Sequence, residues 1–103
     1  MKIKSKKWID REALKEWRKQ VLKRDKGICQ ICMKKPNKIH VHHIIPRQVK
    51  ELKYDVMNGI CLCFNHHKVG KESAHNNALF FCHWLRENKP NQYKYLMRFV
   101  ASP

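Results

Sequence analysis

Acidic residues are scarce in this chain. Eight Asp plus Glu stand against 23 Lys plus Arg, a formal net charge of +15 over 103 residues. That imbalance exceeds what solubility requires. It produces a field that draws in polyanions and speeds encounter with them. Long apolar runs are missing too. Nothing approaches the roughly 18 residues of a membrane span. No apolar stretch follows the basic start, Met1 to Lys7, so no export signal is read there. The basic residues are spread along the chain rather than gathered on one amphipathic helix, which argues against an anionic membrane as partner. Internal repeats, linkers and low-complexity segments are absent. The apolar share of 43% is too high for a disordered tail. These features predict one folded domain in a reducing cytoplasm, where a short chain benefits from a staple such as a metal.

Residues 1–9 read as a basic arm and 10–26 as a helix. Asp10 is placed to cap that helix, Leu14, Trp17 and Val21 share one face, and Gly27 supplies the stop. From Lys38 to Ile44 the pattern predicts a strand with Ile39 and Val41 on one side, His40 and His42 on the other, and His43 opposite His42. A short helix or loop follows over 47–55. Residues 56–62 read as a second short strand broken at Asn58-Gly59, and 64–71 as a helix. Ser73 is placed to cap a helix over about 74–88, with Ala78, Leu79, Cys82 and Leu85 inward. Pro90 opens a last helix carrying Tyr93, Leu96, Met97 and Val100 at helical spacing. The class is α+β.

Of five cysteines, two form the knuckle Cys29-x-x-Cys32, and Cys63-x-x-His66 supplies a second pair. In a reducing compartment, paired Cys with nearby His point to a metal more than to a disulfide. Thiolate and imidazole suit zinc, and two such pairs close a tetrahedron. Cys29, Cys32, Cys63 and His66 are therefore the expected structural zinc ligands. Cys61 is an alternative to Cys63, and it reads otherwise as a small buried hydrophobe. A redox Cys-x-x-Cys and plain core thiols are the competing readings.

The strand-ending His42-His43-Ile44-Ile45-Pro46, then Asn58, then His67, resemble the HNH endonuclease family. The run Arg24-Asp25-x-Gly27-x-Cys29 resembles the family's approach to its first knuckle. The resemblance covers about residues 8–71. It implies a ββα-metal (His-Me finger) core over about 38–71, with a zinc site and flanking N- and C-terminal helices, the latter over about 74–100. It assigns His43 as general base and His42 and His67 as ligands of a catalytic divalent ion. That ion is expected to be Mg²⁺ or Mn²⁺, with Zn²⁺ or Ni²⁺ as further candidates. Asn58 is implied to fasten the loop between the strands and to help orient the base. Two departures stand out. His66 replaces the usual second Cys of the second pair. Colicin-type members also carry a further His where this chain has Lys71, which leaves the ion two protein ligands.

The resemblance implies metal-dependent hydrolysis of DNA, by nicking or cutting with low sequence specificity, in a bacterial or phage-encoded protein. Monomer or weak dimer is expected, and a phage-packaging or restriction partner is a further reading. The alternative is a non-catalytic zinc module that grips nucleic acid. Arg47, Lys68 and Lys71 are the candidate DNA contacts beside the site, with Arg47 placed for a bidentate phosphate grip. His75 and His83 are additional candidates near the metal, and His40 lies on the His42 side of the strand.

Overall fold

The computed structural model describes residues 5–100. Helix α1 spans Lys6–Asp25. Its cap is Ser5, whose Oγ accepts the Trp8 N–H at 3.2 Å. The helix therefore starts four residues before the expected position, and Lys6–Ile9 of the expected arm are helical. Residues 1–4 of that arm lie outside the described residues. Asp10 is not the cap because its carboxylate serves elsewhere. It pairs with Lys53 Nζ at 2.6 Å and accepts a bond from the Tyr54 hydroxyl. At the other end Lys26 is left-handed, and the Lys26 and Gly27 N–H groups both close on the Leu22 carbonyl.

Strands β1 (His40–His43) and β2 (Gly59–Leu62) pair antiparallel, with His40 opposite Leu62 and His43 opposite Gly59. The predicted strand 38–44 is shorter because β2 offers only four partners. Single 3₁₀ turns at Lys50–Leu52 and Val56–Asn58 fill the connection. A π-helical turn, Asn65–Val69, follows β2 where a helix over 64–71 was expected. Helix α2 spans Ala78–Asn88 and α3 spans Pro90–Met97, with Pro90 in the first turn as predicted. The class is α+β. Among the described residues, no helix is long and apolar enough to cross a membrane.

Side-chain alternation along the hairpin separates two cores. On one face Trp17, Val21 and Cys61 pack with Leu14 and Val41, which seats α1. On the other, Cys29, Leu52, Ile60 and Leu62 pack with Phe81, Leu85 and Leu96, which seats α2 and α3. The inward face of α2 is thus Phe81 and Leu85. Leu79 is 86% exposed and Cys82 is also exposed, because the helix begins at Ala78 and its inner face is turned from the expected one.

Buried Asp25 and its partly exposed partner Arg24 join α1 to β2. Asp25 accepts from Arg24 Nε at 2.8 Å and from the Cys61 N–H at 2.9 Å. Arg24 also donates to the carbonyls of Val56 and Gly59, at 2.8 and 2.6 Å. Gln92 of α3 donates to Met57 and Gly59 carbonyls, each at 2.8 Å. The buried Asp25 carboxylate is therefore both paired and hydrogen-bonded, as burial demands.

At Gly59 the side chains of α1 pack directly against the sheet backbone. A Cβ there would stand 2.5 Å from Val21 Cγ2 and 2.8 Å from Trp17 Cζ2. Gly59→Ala is expected to destabilise the fold by about 1–3 kcal/mol through overpacking, read as a lower urea midpoint. An unchanged midpoint would contradict this close seating of α1.

Candidate metal centres

The knuckle lies directly after α1. The Cys29 N–H donates to the Lys34 carbonyl and the Met33 N–H to the Cys29 carbonyl, while the Gln30 N–H donates to the Cys61 carbonyl at 3.0 Å. Left-handed Met33 closes the turn. These bonds hold Cys29 and Cys32 against the end of β2, where Cys63 and His66 follow. The ligand atoms of all four lie within 4.8 Å of one another. Cys63 Sγ is 3.2 Å and Cys29 Sγ 3.7 Å from His66 Nδ1, and Cys32 Sγ is 4.0 Å from Cys63 Sγ. Zinc bonds of about 2.3 Å to sulfur and 2.0–2.1 Å to nitrogen imply tetrahedral edges of about 3.8 and 3.6 Å. The observed separations bracket those edges, so this Cys₃His group can bind zinc. The cysteines are free thiols. Cys61 points away from the group: it is fully buried beside α1, its Sγ meets the Val21 carbonyl, and burial and then Asp25 push its thiol up to about 12.

A second group forms one residue further on. His66 turns to the thiols and His67 to the other side of the π turn. There His42, His67 and His75 bring three ring nitrogens within 4.8 Å of one another. His67 Nε2 is 3.0 Å from His75 Nε2, and His67 Nδ1 is 2.8 Å from His40 Nδ1. Burial, then His67 and His75, lower the His42 imidazole to about 3. Burial, then His75 and His40, lower His67 to about 4. Both shifts favour the neutral form of His42 and His67, whose lone pairs are what a metal ion requires.

His75 reaches this group because the expected 74–88 helix does not begin at Ser73. The Ala74 N–H donates to the His66 carbonyl at 2.7 Å and the His75 N–H to the His67 carbonyl at 3.1 Å. Residues 73–77 thus fold back onto the π turn. Ser73 Oγ accepts from the Asn76 N–H, and Asn77 caps α2 by accepting from the Phe80 N–H at 2.9 Å. His83 lies exposed on α2, outside both groups.

Beside His42, on the other face of β1, His43 stacks on Trp17 with ring centroids 3.8 Å apart and planes within 7°. Its Nε2 lies 2.9 Å from the Lys53 carbonyl. A carbonyl only accepts, so Nε2 carries the proton and Nδ1 keeps the free lone pair. Burial, with Arg47 and Lys53 as nearby cations, holds this imidazole below its ordinary value, although the Lys53 carbonyl pulls the other way.

Asn58 is fully buried, and its side chain fastens the connection between the strands. Oδ1 accepts from the Ile45 N–H at 2.7 Å, and Nδ2 donates to the Ile45 and Leu52 carbonyls at 2.9 and 3.1 Å. The loop so held carries Lys53, hence the carbonyl that orients His43.

The model of the HNH endonuclease family matches residues 29–77. That stretch is an HNH-family segment. No curated protein and no solved structure matches the chain. The HNH segment begins at the knuckle and ends at Asn77, so it holds both clusters, His43, Asn58 and His75. Helix α1, with Trp17, lies before it, and α2 and α3 lie after it.

Beside the HNH segment's three imidazoles runs a groove of about 830 Å³, with Ile44, Ile45, Phe81 and Leu85 among its apolar walls. Arg47 and Lys68 are exposed on its lining, whereas Lys71 sits in an exposed turn that does not line it. Sequence reasoning gave His75 only a marginal place. Asn77, a residue type that caps helices and stands just before α2, is the sequence signal for a turn ahead of that helix.

Cys29→Ser is expected to release one equivalent of zinc from protein isolated with it, because structural zinc binding is coupled to folding. A loss of even about 3 kcal/mol would lower Tm by roughly 12–24 °C for a domain of this size. Zinc analysis and a melting curve read both. A zinc-free parent, or a variant that melts like it, would remove the staple.

Proposed function

We propose that this protein is a divalent-metal-dependent DNA endonuclease that hydrolyses phosphodiester bonds. One observation carries the reading: adjacent strand residues serve two sides of one site, His42 in a three-imidazole group and His43 with its Nε2 tied to a carbonyl. β1, β2 and the π turn are read as the ββα-metal core. The Cys₃His group is read as its structural zinc site.

His42, His67 and His75 would hold the divalent ion, which when bound would supply charge stabilisation for the phosphoryl and departing 3′ oxygens. A trio of imidazoles fits such a group, and it adds one ligand to the two expected from sequence. Nitrogen donors suit Zn²⁺ or Ni²⁺ better than Mg²⁺, which favours oxygen ligands. With His67 Nε2 given to the ion, its Nδ1–H would donate to His40 Nδ1, 2.8 Å away, an arrangement that typically tunes ligand orientation.

The remaining chemistry belongs to the chain. His43 Nδ1 takes a proton from the attacking water, help worth about 10²–10⁴-fold. As the water oxygen bonds to phosphorus, the bond to the 3′ oxygen breaks, and that oxygen takes a proton from solvent, leaving 5′-phosphate and 3′-hydroxyl ends. Trp17 and the Lys53 carbonyl fix the ring in the attacking orientation, and Asn58 holds the loop that carries that carbonyl. Arg47 offers a fork to the phosphate. Lys68 and Lys71 contact flanking backbone. One such site cuts one strand at a time, so open circles precede linear DNA.

A supercoiled-plasmid assay tests this. Parent protein is expected to convert plasmid to open circles with Ni²⁺, Zn²⁺ or Mn²⁺, at lower ion concentration than with Mg²⁺. His43→Ala should cut at least about 10²-fold more slowly while still retarding DNA. Retardation without cleavage across all these ions would favour the non-catalytic binding module.

The pH profile carries a sign. His43 acts as base only when neutral, and its surroundings disfavour the protonated form. Activity is therefore retained as pH falls to 6.5 and lost below it, with the acid-limb midpoint under the ordinary value of 6.5. A midpoint at or above 6.5 would argue against His43 as base in these surroundings.

A further inference from the structure

Two grooves meet at His43. The larger one holds the three imidazoles. The smaller, of about 400 Å³, runs between β1 and α1 and is lined by Arg11, Lys15 and Arg18 of α1. Val41, His43 and Arg47 line both, so the surface is continuous from the imidazole group, past His43, to the helix.

Arg11, Lys15 and Arg18 follow an i, i+4, i+7 spacing, which sets them along one face of a helix. All three are exposed. Among the described residues, Arg11 and Arg47 have no hydrogen-bond or ion-pair partner, so their forks are free for an anion. Lys15 has only an exposed pair with Glu12 at 3.4 Å, which costs little to exchange. Arg18 donates to the Ile39 carbonyl at 3.3 Å, which leaves its other donors available. The groove contains one acid, Asp10, and Lys53 at 2.6 Å already offsets its charge. α1 contributes nothing to the HNH-family segment, yet it presents these cations beside the residue read as the base.

We infer that this face of α1 is a phosphate track: the DNA strand whose scissile phosphate sits at His43 continues along Arg11, Lys15 and Arg18, with Arg47 at the junction. The chemistry recognised is the sugar–phosphate backbone, so the track supplies affinity and register without base specificity. This rests on the nuclease reading for the placement of the scissile phosphate, but the track is tested by binding alone.

The test uses full-length protein carrying His43→Ala to silence cleavage, a 24-base-pair duplex, and Kd measured over a range of salt. Arg11→Gln with Lys15→Gln removes two track charges and keeps good helix formers. Arg18 is spared because of its bond to Ile39. Lys19→Gln with Lys23→Gln removes two exposed charges from the outer face of the same helix, so the two doubles are matched in net charge. Each lost phosphate contact lowers the slope of log K against log salt by about 0.9. The track double is expected to lower the slope by about 1.8, with the outer double close to the parent and both folded by circular dichroism. Equal losses in the two doubles would mean a diffuse basic field and overturn the track. An unchanged slope in the track double would overturn it as well. If cleavage by the otherwise native protein survives His43→Ala, the nuclease mechanism fails while the binding comparison still stands.

Discussion

The period of a β-strand governs this molecule. Successive residues of β1 point to opposite faces, and the four residues His40–His43 use each face twice. His40 and His42 meet the imidazole group, while Val41 and His43 meet α1. A slip of one residue in the pairing with β2 would exchange the two sets. The register is therefore held from several directions: by the Asp25 and Arg24 bonds to β2, by Gly59 under Trp17, and by Gln92 from α3.

A second adjacency couples the Cys₃His group to the three imidazoles. His66 and His67 are neighbours in one π-helical turn, and they face different clusters. Their carbonyls accept from Ala74 and His75, so the turn, the thiol group and the third imidazole share one short piece of backbone. π turns are uncommon and concentrate at functional sites. Here the turn sets the angle between two neighbouring rings that face different groups.

Much of this was legible in residue spacing. The knuckle, the His42–His43 pair and Asn58-Gly59 each carry local chemistry that does not depend on the rest of the fold, and the alternation of β1 follows directly from its period. The parts that were not legible depend on competition between distant groups. Ser73 and Asn77 are both sound helix caps, and only the bonds from residues 74 and 75 back to His66 and His67 decide for Asn77. Asp10 is a good cap by type, but Lys53 and Tyr54 claim it. Leu79 lies outward because the helix begins later than its apolar pattern suggests. His40 as the partner of His67 required two segments 27 positions apart to be brought together.

Trp17 has a consequence for how this protein could be divided. It forms the wall against which His43 rests, yet it stands twelve positions before the first residue of the matched segment, Cys29. The smallest transplantable unit is therefore larger than the portion recognisable by family. A graft cut at the knuckle would keep both Cys/His groups and His43 but lose the surface against which the His43 ring stacks. The boundary of similarity and the boundary of the packing around His43 are different places in this chain.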